Sequence, residues 1–211
     1  MNFENSQDPW AIDLPENVKD IGLKISGGAD SAIVCYMLAK YITEERPDIT
    51  IHPVTGVSVL KGYQLIYSSQ VLQKIESLTS IKFAKHQTRT VSNDNYVRDQ
   101  DMFIKFLYKK NLFAHHYTGI TANPTIDQTP ELYTDQMPVE RNRGPKKHDN
   151  TFSPLINIDK RGVSEHYTRL GVLEELFPLT RSCEDLTDNF DTHCETCWFC
   201  QERFWGFNRY V

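Results

Sequence analysis

The chain has 211 residues, 39% of them hydrophobic and 24% charged, the balance of an ordinary soluble globular protein with room for one α/β domain and a sizeable core. A formal net charge of −5 argues against bulk attraction to nucleic acid, which is not an expected partner. No apolar run approaches the ~20 residues of a membrane span, and the start of the chain lacks a basic stretch followed by an apolar one. The expectation is a cytoplasmic protein with reduced cysteines.

In chain order, residues 1–17 are polar, with Pro9, Trp10 and Pro15, and read as an irregular arm that tucks Trp10 or Ile12 against the body. Ile21, Gly22, Leu23, Lys24 and Ile25 form an apolar run expected to be a buried strand. A helix follows over about 30–45, with Ile33, Val34, Met37, Leu38 and Tyr41 at helical spacing and Pro47 stopping it. Residues 49–60 read as a second strand, 64–78 as a helix and 80–85 as a third strand. Asn93, Asp94 or Asn95 is placed to cap a helix running to about 110, with Phe103, Phe106 and Leu107 inward. A fourth strand over 112–120 ends at Thr121, Ala122, Asn123 and Pro124. Residues 121–150 are a long polar stretch with four prolines, of the kind that forms a lid, a binding loop or a disordered segment. Asp159 begins a helix with Val163, Tyr167 and Leu170 that Gly171 ends, and a short helix holds 172–177. Strands alternating with helices predict an α/β fold, a mostly parallel sheet with helices on both faces.

The chemistry-bearing stretch lies between the first strand and the first helix, S-G-G-A-D-S over residues 26–31. Glycines let backbone N–H groups approach an anion, and a helix N-terminus favours negative charge. Ser26 and Ser31 can donate hydroxyl hydrogen bonds to phosphate oxygens. Asp30 would repel a bare phosphate, so its presence suggests a metal ion bridging protein and phosphates. A tight turn with an ordinary helix cap is the plainer alternative.

Cys183, Cys194, Cys197 and Cys200 have the spacing C-x10-C-x2-C-x2-C. Four thiolates satisfy a tetrahedral zinc, which would be structural because every ligand position is filled. An iron–sulfur cluster is the rival, since the last three fit a C-x2-C-x2-C run. The fifth cysteine, Cys35, sits on the apolar side of the first helix and reads as core. His115 and His116 are adjacent on a strand, point to opposite faces and read as residues without chemistry. The mixed run over 140–148 reads as a solvated loop or, through Arg141, Arg143, Lys146 and Lys147, as a lid over phosphates.

The string S-G-G-x-D-S resembles the signature of the PP-loop ATP pyrophosphatases. Their reaction cleaves ATP between the α- and β-phosphates, adenylates a carbonyl or carboxylate oxygen, and lets a nitrogen or sulfur nucleophile displace AMP. Pro154 and Leu155 followed by Lys160, then Ser182 with Cys183, the cysteine cluster, and Arg203 with Phe207 keep the order found in 7-cyano-7-deazaguanine synthases of the queuosine pathway. Thr88, Arg89 and Asn93 match that family's G-R-N stretch poorly. Its substrate segment is represented at best by residues 131–135, which include Tyr133 and Asp135. The likeness runs from about residue 20 to 207, firmer for the ATP half than for the substrate half.

The resemblance implies a domain over 18–182 with an inserted loop at about 121–150, and a metal-binding segment over 183–211. It implies ATP and Mg²⁺, with Ser26, Gly27, Gly28, Asp30 and Ser31 at the pyrophosphate end and Lys160 supplying a cation. Thr121 and Asn123 could touch ribose or substrate, or form a plain turn. Expected partners are a small-molecule acid or deazapurine, ammonia as the nitrogen source and, as a homodimer, a second copy of the chain. Sulfur transfer to tRNA and a non-catalytic zinc and nucleotide module are the competing functions.

Overall fold

The computed structural model describes residues 1–12, 14–129, 132, 143–185 and 190–211. Its centre is a six-stranded sheet made of β3 (Asp20–Lys24), β4 (Thr50–Ser58), β5 (Gln87–Val91), β6 (His115–Tyr117), β7 (Lys147–His148) and β8 (Thr151–Phe152). The spatial order is β5-β4-β3-β6-β8-β7, with β7 antiparallel and the remaining pairings parallel. A separate ribbon pairs β1 (Asn2–Phe3) with β2 (Trp10–Ala11). The order reverses between β3 and β6, and ligands of open α/β sheets bind at such a reversal, beyond the carboxyl ends of the strands.

Helix α1 (Ala29–Glu45) follows β3 and buries most of its length, including Ile33, Val34, Met37 and Leu38. Each such side chain removed from water contributes about 1.5–3 kcal/mol before entropy is counted. α2 (Tyr63–Thr79) packs Val71, Leu72 and Ile75 onto the same core. α3 (Tyr96–Lys109) covers a smaller cluster of Val54, Phe103, Ile104, Leu107 and Phe113. α4 (Lys160–Arg169), the short α5 (Leu173–Leu176) and α6 (Trp198–Phe207) complete the chain. Among the described residues no helix is long and apolar enough to cross a membrane.

The expected helices all form, and the differences lie in strands and loops. The arm is not wholly irregular, since β1 and β2 pair and carry Phe3 and Trp10 into the core beside Ile12 and Leu14. The third strand forms at Gln87–Val91 and not over 80–85. Ser80 takes a left-handed conformation to end α2, and polar Thr88, Arg89 and Thr90 make an exposed edge strand that lacks an apolar signal. The fourth strand is short because the chain leaves the sheet after Tyr117 to wrap the start of α1. Phe106 faces outward beneath Lys110, and Ile104 takes the inward position beside Phe103. Gly171 (φ 68°) ends α4 as expected, with Val172 N donating to Tyr167 O.

Candidate active site and cysteine cluster

The loop after β3 is built for close backbone approach. Gly27 has φ 83°, and a Cβ there would fall 2.6 Å from Tyr67 Cβ and 2.7 Å from Ser68 N, so only glycine fits. Its carbonyl accepts from Arg181 N at 2.9 Å. Ser26 N donates to Ser31 Oγ (3.2 Å), Ser31 Oγ donates to Gly28 O (3.1 Å), and the two hydroxyls lie 3.1 Å apart. Gly28 is the N-cap of α1, and no side chain caps that helix. Uncapped first-turn N–H groups at the positive end of a 17-residue helix favour an anion. The exit of β6 closes the loop from the other side, where a Cβ on Gly119 would lie 2.5 Å from Ser31 N.

Helix α4 brings in the cation. Asp159 caps it, accepting from Arg161 N (2.9 Å) and Gly162 N (3.3 Å). Lys160 stands in its first turn and is only 4% exposed. A lysine at a helix N-terminus opposes the dipole and needs anions nearby. These are protein carboxylates: Lys160 Nζ lies 2.5 Å from Asp30 Oδ2 and 3.4 Å from Glu202 Oε2. Burial disfavours the ammonium, but the two carboxylates outweigh it and hold its pKa above the ordinary lysine value. Asp30 Oδ1 is buried without a hydrogen-bond partner among the described residues. α6 crosses so closely that a Cβ on Gly206 would sit 2.6 Å from Lys160 Cβ.

Beside the loop lies a cavity of about 300 Å³. Ser26, Gly28, Asp30 and Ser31 form one end, and Val54, Phe103, Ile104 and Ile120 an apolar wall. Lys24, Gln64, Tyr96, Gln100 and Glu184 supply polar groups. Gln64 is locked, accepting from Ser58 N and donating to Tyr96 Oη at 2.8 Å. Glu184, one residue past Cys183, pairs with Lys61 at 2.6 Å. Thr121 is buried outside the lining, as is half-buried Asn123, and the same strand exit reaches the cavity through Thr118, Gly119 and Ile120. The sequence reading missed the polar wall residues. Lys24, a charge at the last position of an apolar strand, was the one legible signal among them.

The four clustered cysteines come together, with every pair of Sγ atoms within 4.8 Å. Zinc–sulfur bonds of ~2.3 Å place tetrahedral thiolates roughly 3.8 Å apart, and Cys194 Sγ and Cys200 Sγ are 3.9 Å apart. Cys194 N points at Cys183 Sγ (3.4 Å) and Cys197 N at Cys194 Sγ (3.3 Å), as suits thiolate acceptors. Hydrogen bonding from Cys200 leads in drawing the Cys197 thiol down to about 4, while the same contact pushes Cys200 up. Two arginines hold this region. Arg181 donates to the carbonyls of Phe190, Thr192 and Asp185. Fully buried Arg203 donates to Tyr210 O, Thr180 Oγ1, Ser182 Oγ and Phe177 O.

The remaining candidates fall elsewhere. His116 is buried against Tyr108 Oη at 2.6 Å, and half-buried His115 stacks edge-on to Phe152. Lys146 is tied to Pro9 O (2.6 Å) and Asp8 (3.0 Å), and Lys147 lies over the Phe152 ring. Neither is poised over the loop, which corrects the lid reading for these two cations. Arg141, Tyr133 and Asp135 lie outside the described residues.

No protein-family model matches the chain, and no curated protein matches it. Among solved structures it is similar to the U34-tRNA thiolase NcsA from Methanococcus maripaludis, a structure with its [4Fe-4S] cluster, at a TM-score of 0.50 and 12% identity. The match covers 90% of this chain and 65% of the thiolase, so the chain spans less than two thirds of that protein's length. At that identity the likeness is one of fold alone, a mostly parallel sheet flanked by helices.

Proposed function

We propose that the chain is an AMP-forming, ATP-dependent ligase that inserts nitrogen into a small acid or deazapurine, in the manner of the 7-cyano-7-deazaguanine synthases. The observation that carries this reading is the meeting of an uncapped helix N-terminus and Asp30 at one end of a cavity of about 300 Å³, with buried Lys160 paired to Asp30 behind that end. In the reaction proposed, a substrate carboxylate or carbonyl oxygen attacks the α-phosphorus and the bond to the β-phosphate oxygen breaks. Ammonia then attacks the activated carbon, AMP leaves with the substrate oxygen, and the surplus proton passes to water. Ser26, Ser31 and the first-turn N–H groups of α1 would hold the departing pyrophosphate, and Lys160 would offset its growing charge. Asp30 would hold Mg²⁺, which when bound neutralises phosphate charge. The apolar wall with Phe103 suits a base, and the wall with Gln64, Tyr96 and Glu184 suits the acceptor.

For the cluster we favour one structural zinc, because the sulfur spacing suits ligands sharing a single ion, whereas a cubane gives each thiolate its own iron. Bound zinc would fix the 183–211 segment, which we take as a metal-binding unit following an ATP-binding domain over 18–182.

The competing reading is sulfur transfer, which the fold neighbour's identity as a tRNA thiolase favours. Two features oppose it. A four-thiolate site leaves no open coordination position, and Cys35 is fully buried, with burial pushing its thiol far up, so it is inert as a sulfur carrier.

The test is ATP–pyrophosphate exchange across a panel of small acids and deazapurines, with ammonium and sulfide compared as donors. Exchange with one acceptor and a product gaining nitrogen is expected. A product heavier by sulfur would replace this reading with its rival, and no exchange with any acceptor would leave a non-catalytic module.

A further inference from the structure

We propose that Glu202 is a positioning residue for the phosphate end of the site, holding the Lys160 ammonium beside the loop when Asp30 turns to a ligand. This rests on the reading of the loop as a phosphate site and adds a residue that its motifs do not contain.

The argument begins with burial. Lys160 and Glu202 are each 4% exposed. An ammonium removed from water needs a counter-ion, because a stranded buried charge is strongly unfavourable. The carboxylates paired with it among the described residues are Asp30 at 2.5 Å and Glu202 at 3.4 Å. The nearer partner is the one the loop chemistry claims. Asp30 has one oxygen on Lys160 and the other, Oδ1, without a hydrogen-bond partner among the described residues. A cation drawn to Asp30 takes it from the ammonium, and Glu202 then keeps Lys160 charged and in place. Two carboxylates sharing one ammonium also weaken the hold of either, so Asp30 is released more readily than from a simple pair.

Position makes Glu202 more than a spare counter-ion. It lies on α6, whose N-cap is Cys197, and follows Cys200 by two residues. Gly206, one turn on, packs against the Lys160 stem. The cysteine cluster seats α6, α6 seats Glu202, and Glu202 seats the lysine. A metal site that takes no part in the chemistry thereby reaches the phosphate loop through one side chain.

The experiment uses the full-length, metal-loaded protein. Lysine acetylation by acetic anhydride, read by mass spectrometry, reports how well Lys160 is sequestered and needs no turnover. Asp30→Asn mimics the released aspartate. Lys160 should stay protected in Asp30→Asn and be labelled at least about fivefold faster in Asp30→Asn/Glu202→Gln, since only the latter strands the charge. Equal labelling overturns the proposal. If the double variant unfolds, adding Lys160→Met should restore its melting temperature by removing the stranded charge. Failure to restore it overturns the proposal as well. Pyrophosphate release reads the catalytic consequence: Glu202→Gln should lower kcat about tenfold at unchanged metal content, with Glu202→Asp recovering part of the loss. A wild-type kcat in Glu202→Gln, or a loss traced wholly to lost metal, refutes the positioning role. Absence of release by the wild-type protein refutes the ligase reading instead, and the labelling result still decides whether Glu202 holds Lys160.

Discussion

The loop after β3 and the cysteine segment both reach Lys160, through Asp30 and Glu202, and are held in shape by different forces. The loop is short, but α1 behind it is embedded in the main hydrophobic cluster through Ile33, Val34, Met37 and Leu38. Among the described residues of the 183–211 segment, Phe207 alone belongs to that cluster. The segment is held instead by the fans of hydrogen bonds from Arg181 and Arg203 and by the gathering of four thiols. Non-directional apolar burial tolerates loss of one polar contact nearby. A shell of polar contacts around a metal site lacks that reserve, because metal binding there is itself folding free energy. One region is therefore expected to fail in chemistry while staying folded, and the other to fail in folding first.

The largest expected effect is on chemistry. Asp30→Ala should abolish pyrophosphate release while moving the melting temperature little, and Lys160→Ala should lower the rate by about 10² or more. Wild-type turnover in either variant would end the site assignment. Next is the opposite signature. Cys197→Ser, or strong chelation, should lower the melting temperature by about 10 °C or more. Amide hydrogen exchange should then show 198–207 losing protection and 29–45 keeping it. Uniform loss would mean that the two regions do not differ as argued.

A smaller effect concerns acid. His116 and His166 are buried, and burial leads in depressing both to about 4. The unfolded chain takes up these protons near pH 6.5. Depressed folded values mean that stability is intact above about 6.5 and is lost as pH falls towards 4, by at most roughly 3 kcal/mol for each histidine. A melting temperature flat across that window would contradict it. The smallest effect is that of Cys35→Ser. It should cost about 1–2 kcal/mol of stability through an added buried hydroxyl and leave kcat within about twofold, whereas a folded but inactive variant would restore the sulfur-carrier hypothesis.

The sheet, its helices and both motifs were legible because each rests on local periodicity or on a residue type that nothing else replaces. Ile33, Val34, Met37 and Leu38 mark an inward face by spacing alone, and Gly27 and the cysteines declare themselves by kind. The strand at Gln87–Val91 was not legible, since an exposed edge strand needs no apolar alternation. Glu202 was not legible either. A glutamate within a short helix is ordinarily solvated, and only the crossing of α6 over α4 makes it the partner of a lysine 42 positions earlier. Gln64, Tyr96 and Gln100 share that difficulty, because the cavity is assembled from three successive strand–helix units and no single stretch contains it.

The exposed edge strand has a consequence for how copies of the protein meet. β5 ends the sheet on one side with Arg89 at its centre, and β7 ends it on the other with Lys147 and His148. Charge placed on a sheet edge discourages a second chain from adding its own strand there. Both margins are thus poor templates for runaway strand addition, β7 all the more because it is two residues long. Strand addition at these two margins is disfavoured for a second copy, so resistance to aggregation is built into the sheet edges themselves.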